Sequence, residues 1–215
     1  MVSPILLSLR SALGDVYSGW ILWNLFLAFI PLVLSFWLYR RNVSARSILW
    51  WVGFAVFIAF LPNAPYVLTD IIHLIRGTSR ASTWAVALVF IPIHVFAILL
   101  GFEAYVVSLI NQSYYLKRQG AGKFILLSEL LTHALCAIGI FLGRFRRYNS
   151  WDLVTDPDRV LNATLDDLTS KLPLVVMIIT FIILTVMYWI FKQVTLGVAL
   201  RMQYARRGKD VLDEI

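Results

Sequence analysis

Residues 47–74 read SILWWVGFAVFIAFLPNAPYVLTDIIHL. The stretch 47–61 is one continuous apolar run, and it closes on Pro62-Asn63-Ala64-Pro65. Proline lacks a backbone donor and presses on the preceding turn, so the pair predicts a broken or kinked helix at the headgroup level. Asn63 is placed to cap a new helical start, with Pro65 inside its first turn. On that new helix Tyr66, Asp70 and His73 recur at i, i+4 and i+7 and share a face. Two readings follow. The face simply meets water on an interfacial amphipathic helix, or it forms one wall of a binding or catalytic site.

Working outward, the chain has 215 residues, of which 60% are hydrophobic and 14% charged. Ordinary soluble domains carry roughly 25% charged residues. Apolar runs at about 20–39, 47–62, 84–110, 124–142 and 172–191 approach the length that crosses a hydrocarbon core. The expected architecture is an all-α, polytopic transmembrane helix bundle of five spans, forming a single integral membrane domain over 1–215. Asp156-Pro157 reads as an N-cap and N1 proline, and Val160, Leu161, Thr164, Leu165 and Leu168 fall on one side. A short surface helix is therefore expected before the last span.

The formal net charge of +7 arises mainly from cations at the ends of apolar runs, where they orient helices and meet anionic lipid. No soluble basic module accompanies them, so nucleic acid is not an expected partner. The single cysteine, Cys136, excludes an internal disulfide and any Cys-rich metal or iron–sulfur site. Met1 to Trp20 lacks a basic start, an uninterrupted apolar core and a small-residue cleavage site, and is not read as a cleaved signal peptide.

Eleven of the 19 lysines and arginines fall on one side of five spans. The positive-inside bias then places the N-terminus outside and the C-terminus in the cytoplasm. Whatever the orientation, an odd number of spans puts the second and fourth loops on one side. The Tyr66-Asp70-His73 helix and the cationic patch after span four therefore face the same compartment.

That patch holds Arg144, Arg146, Arg147, Tyr148, Asn149, Trp151 and Asp152. Arginine matches phosphate bidentately and tryptophan prefers the headgroup level, which suits an anionic lipid or small anionic ligand. The simpler alternative is anchoring, with an arginine paired to Asp152 or Asp70. Asp70 and His73 have the chemistry of an acid–base pair or of two metal ligands. A third ligand is needed, and the histidine available, His94, sits too deep in span three unless the proline-broken helix dips back, so no metal site is predicted.

His94, Glu103 and His133 lie within spans, where ionisable side chains face the bundle interior. Glu103 and His133 are placed to share a proton, as a transporter requires, or to fix interhelical packing. Glu129 is expected to snorkel outward or pair with Lys123.

LPNAPYVLTDIIHL (61–74), followed by LGRFRRYNSWD (142–152), resembles a family of bacterial membrane proteins known as domain of unknown function 1361. The resemblance runs from the first span to the last. It implies a shared multi-span architecture and supplies neither catalytic residues nor a cofactor. The residues themselves leave three functions open. One is binding or moving an anionic or lipid ligand through Asn63, Tyr66, Asp70, His73, Arg144 and Arg147. The others are an enzyme acting on a lipid-linked or phosphorylated substrate, with Asp70 and His73 as acid and base, and a scaffold subunit.

Overall fold

The computed structural model describes residues 20–41, 46–72, 75 and 83–208. Five helices in it are long and apolar enough to cross a membrane: Ile21–Arg40, Ile48–Asp70, Val86–Arg118, Gly122–Arg146 and Lys171–Arg206. The protein is a multi-pass membrane protein. Span one comprises α1 (Trp20–Ser35) and a π-helical turn, Phe36–Arg40. Span two is α2 (Ile48–Phe60), started by Ser47, whose hydroxyl accepts the Trp50 amide. Span three is dominated by α4 (Ile91–Arg118) and span four by α5 (Ile125–Phe141). After a π-helical turn, Leu142–Arg146, come α6 (Asp152–Thr155) and the expected surface helix, α7 (Pro157–Thr169). Beyond Phe60, span two continues through the one-turn α3 (Asn63–Tyr66).

The proline segment takes a tighter form than a clean break. The α-helix is interrupted at Leu61 and Pro62, yet the backbone stays right-handed helical through Ile71, passing from α3 into a 3-10 turn, Val67–Asp70. The Ala64 amide turns to the Leu61 carbonyl, three residues back. The Phe60 carbonyl it would have met in an α-helix is taken by the Asn63 side chain, whose Nδ2 donates to it at 2.9 Å. Asn63 therefore repairs the preceding helix and does not cap a new one; Pro62 occupies the cap position.

Two glycines let this segment wedge into the bundle. A Cβ on Gly139 of span four would lie 2.7 Å from Pro62, and one on Gly101 of span three 2.7 Å from Val67. Such notches are how membrane helices approach closely without a hydrophobic drive between them. Leu61, Ala64 and Val67 are accordingly buried with Phe57, Phe102, Leu109 and Ile140.

The last helix, α8 (Lys171–Arg206), runs unbroken for 36 residues. At 1.5 Å per residue that is about 54 Å, well beyond a ~30 Å hydrocarbon core. The sequence placed the span at 172–191 with a helical tail; the two are one rod.

Candidate functional site

The second and fourth loops meet. Asn63 Nδ2 donates to Ser150 Oγ at 2.8 Å, and the Tyr66 ring lies against Gly143, 3.2 Å from where a Cβ would stand. Around this junction opens a cavity of about 820 Å³, walled by spans one, two and four and by α7. Its depth is apolar, with Leu27, Phe54, Ile58, Leu135 and Ile138. Its mouth is polar, formed by Asn63, Tyr66, Arg147, Tyr148, Asn149 and Ser150. Volumes of roughly 300–1,000 Å³ are those of sites that enclose a small ligand.

Arg147 carries the only positive φ of any described non-glycine residue, at φ 60° and ψ 32°. It ends the π-turn of span four, where its amide and that of Tyr148 both reach the Leu142 carbonyl. Glycine is the usual residue at such a left-handed stop, because a Cβ there adds about 1–2 kcal/mol. Arginine holds the position instead, and its guanidinium has no protein acceptor among the described residues. A strained backbone position and a cation therefore coincide at the polar part of the cavity.

Of the residues expected to gather on this side, Asn63, Tyr66, Arg147, Tyr148 and Asn149 line the cavity. His73 lies outside the described residues, as do Arg76, Arg80 and residues 1–19. Asp70 does not share the wall with Tyr66. Four residues along an α-helix return to within about 40°, but along a 3-10 helix they turn about 120° away. Asp70 is instead buried (5% exposed) and accepts from Asn24 Nδ2 at 2.8 Å, its other oxygen lacking a partner among the described residues. It faces a separate small void beside His94, whose Nδ1 lies 2.8 Å from the Phe90 carbonyl. The tightened helix thus brings Asp70 to a histidine that had seemed too deep to reach. Arg144 acts on the Asp70 carboxylate through space without pairing with it.

The arginine–carboxylate pair of this patch has a different partner from either one expected. Arg146 meets Asp167 of α7 bidentately, at 3.0 and 2.6 Å, with Asp167 1% exposed. It pins the surface helix across one side of the cavity, where Val160, Leu161 and Thr164 complete the wall. Asp152 accepts the Asn149 amide at 2.6 Å and shapes the turn, while Trp151 is exposed; neither lines the cavity.

The intramembrane groups form a second polar system away from this site. Glu103 does not share a proton with His133: it accepts from Thr195 at 2.7 Å, and His133 meets the Tyr105 hydroxyl at 2.5 Å. Glu129 neither snorkels nor pairs with Lys123. Its Oε1 accepts from Ser113, Tyr188 and Lys192, at 2.8, 2.7 and 2.6 Å. Among the described residues no three His, Cys, Asp or Glu side chains gather as metal ligands.

Sequence reasoning missed Asn24, which both holds Asp70 and lines the cavity. The signal was present: an amide within a membrane span needs a partner. It also missed Tyr105 and Tyr188, whose hydroxyls, buried in a bundle, likewise require one.

Residues 23–186 match the family described as protein of unknown function (DUF1361). The chain belongs to the DUF1361 family. No curated protein and no solved structure matches it. The DUF1361 match contains every residue of the cavity wall, from Trp23 to Thr164. It ends before Lys192 and Thr195, so the donors that the last helix supplies there to Glu129 and Glu103 fall outside it. The family fixes an integral, polytopic bacterial membrane protein; the chemistry of the site has to come from its residues.

Proposed function

We propose that this protein binds an anionic amphiphile, and presents or moves it at one membrane face. The carrying observation is the division of the cavity: apolar where spans one, two and four enclose it, polar and cationic where the two loops meet. An acyl or prenyl chain fills the first part at about 0.8 kcal/mol per buried methylene. A phosphate or carboxylate head meets Arg147, with the Ser150 hydroxyl beside it as a further donor. Asp70, the candidate acid–base group, lies behind Asn24 and outside the cavity wall, which favours binding over catalysis at this site.

By the positive-inside bias the mouth opens on the outer face of the bacterial inner membrane, with the C-terminus cytoplasmic. Native mass spectrometry of the gently extracted protein tests the binding. Wild type retains a lipid-sized adduct that Arg147→Ala loses; equal bare masses for both would overturn the proposal.

A further inference from the structure

The cavity wall carries more information than its charge, and the inference drawn from it rests on the binding function just proposed. Three asparagines line it, and two of them, Asn24 and Asn63, have their amide nitrogens engaged by the protein. Asn63 Nδ2 donates to the Phe60 carbonyl and to Ser150 Oγ, which accounts for both of its hydrogens. Asn24 Nδ2 donates to the Asp70 carboxylate. A carbonyl and a carboxylate accept only, so each amide is fixed with its nitrogen toward the protein. Neither Oδ1 has a partner among the described residues, and neither is among the buried unsatisfied atoms. Both are accessible acceptors on a wall whose only cation among the described residues is Arg147.

We infer that the ligand is an amphiphile whose single anionic phosphate head also bears hydroxyl groups, which donate to Asn24 Oδ1 and Asn63 Oδ1. A bare phosphate ester would satisfy Arg147 and leave both amide oxygens desolvated without partners, the situation by which polar sites reject analogues lacking a hydroxyl. An ammonium head would also donate, but it would bring a second cation beside an arginine that lacks an acceptor among the described residues. Two acceptors on different elements, span one and the proline segment, suit a polyol that reaches both at once. A glycerol phosphate head on a diacyl tail and a sugar phosphate head on a prenyl tail share this chemistry.

The test compares phosphatidylglycerol with phosphatidylmethanol, a monoanionic phosphodiester lacking the hydroxyls, on matched acyl chains in detergent micelles. Affinities for the full chain are read by native mass spectrometry titration. One neutral hydrogen bond corresponds to about fivefold in affinity, so wild type should prefer phosphatidylglycerol by roughly 5- to 25-fold. The Asn24→Ala, Asp70→Ala double variant removes one acceptor without stranding a carboxylate, and should cut that preference about fivefold.

Arg147→Gly should weaken both lipids alike. Equal affinity of wild type for the two lipids, with Arg147→Gly still weakening both, overturns the hydroxyl assignment alone. If Arg147→Gly weakens neither, the binding function falls and the assignment with it. Tighter binding of phosphatidylethanolamine than of phosphatidylglycerol overturns the assignment in favour of an ammonium. A prenyl-linked glucose phosphate in the same titration separates the two tail sources.

Discussion

Arg147→Gly separates fold from function at a single position, because the wild-type side chain is strained and useful at once. The left-handed backbone at φ 60° disfavours any Cβ by about 1–2 kcal/mol, and glycine removes that penalty. Glycine also loses more chain entropy on folding, by roughly 0.5–1 kcal/mol, so the net gain is about 0–1.5 kcal/mol. For a chain of this size that corresponds to a rise in melting temperature of up to about 6 °C. Binding should move the other way. A guanidinium–phosphate hydrogen bond contributes about 1.5–3 kcal/mol, so affinity for an anionic lipid should fall roughly ten- to hundredfold. Arg147→Ala is the control: it loses the same affinity and keeps the strain, so its melting temperature should not rise. The assays are thermal unfolding followed by tryptophan fluorescence in detergent and lipid titration on the same preparations. A glycine variant that binds anionic lipid like wild type would refute the reasoning, however stable it proved.

Further outcomes follow from the same geometry. Gly139→Val should destabilise the protein by about 1–3 kcal/mol in the same melt, since its Cβ would overlap Pro62, which cannot swing aside. Arg146→Met should lower stability by about 1–3 kcal/mol by stranding the buried Asp167 carboxylate, and Arg146→Met with Asp167→Leu should recover part of that loss in a double-mutant cycle. Orientation can be read by cysteine labelling against a silent background, because Cys136 is buried. A membrane-impermeant maleimide applied to whole spheroplasts should label Val154→Cys, at 83% exposure, and spare Arg201→Cys; the reverse pattern would invert the topology.

Much of this architecture is legible without coordinates, because a bilayer leaves the chain few options. Runs of apolar residues near twenty must cross, and because successive loops alternate sides the second and fourth must share one; the Asn63–Ser150 bond joins them there. What the sequence hid is local geometry. Placing Tyr66 and Asp70 on one face assumed an α-helical period through a segment where two prolines impose a tighter one. Pairing an arginine with Asp152 or Asp70 assumed that nearness or shared compartment decides partners. The surface helix instead returns Asp167 to Arg146. The apolar depth of the cavity had no signature at all, since Leu27, Phe54 and Leu135 are the residue types that also face lipid.

Span four separates the proposed binding site from the intramembrane ionisable groups Glu129 and His133. Its residues Leu135, Ile138, Gly139 and Leu142 line the cavity. Its residues Glu129, His133, Cys136 and Ile140 recur at helical spacing and are buried, with Glu129 bonded to Tyr188 and Lys192 of the last helix. One helix therefore divides the ligand-sized space from the buried ionisable groups. Glu103, Glu129 and His133 are not among the residues lining the cavity, so the proposed binding draws on none of them. Any coupling would require span four to rotate, and Gly139 against Pro62, with no room for even a methyl group, holds it in register. The polar cluster instead fixes the face of span four that turns toward the last helix. That leaves the opposite face free to form the wall of the site.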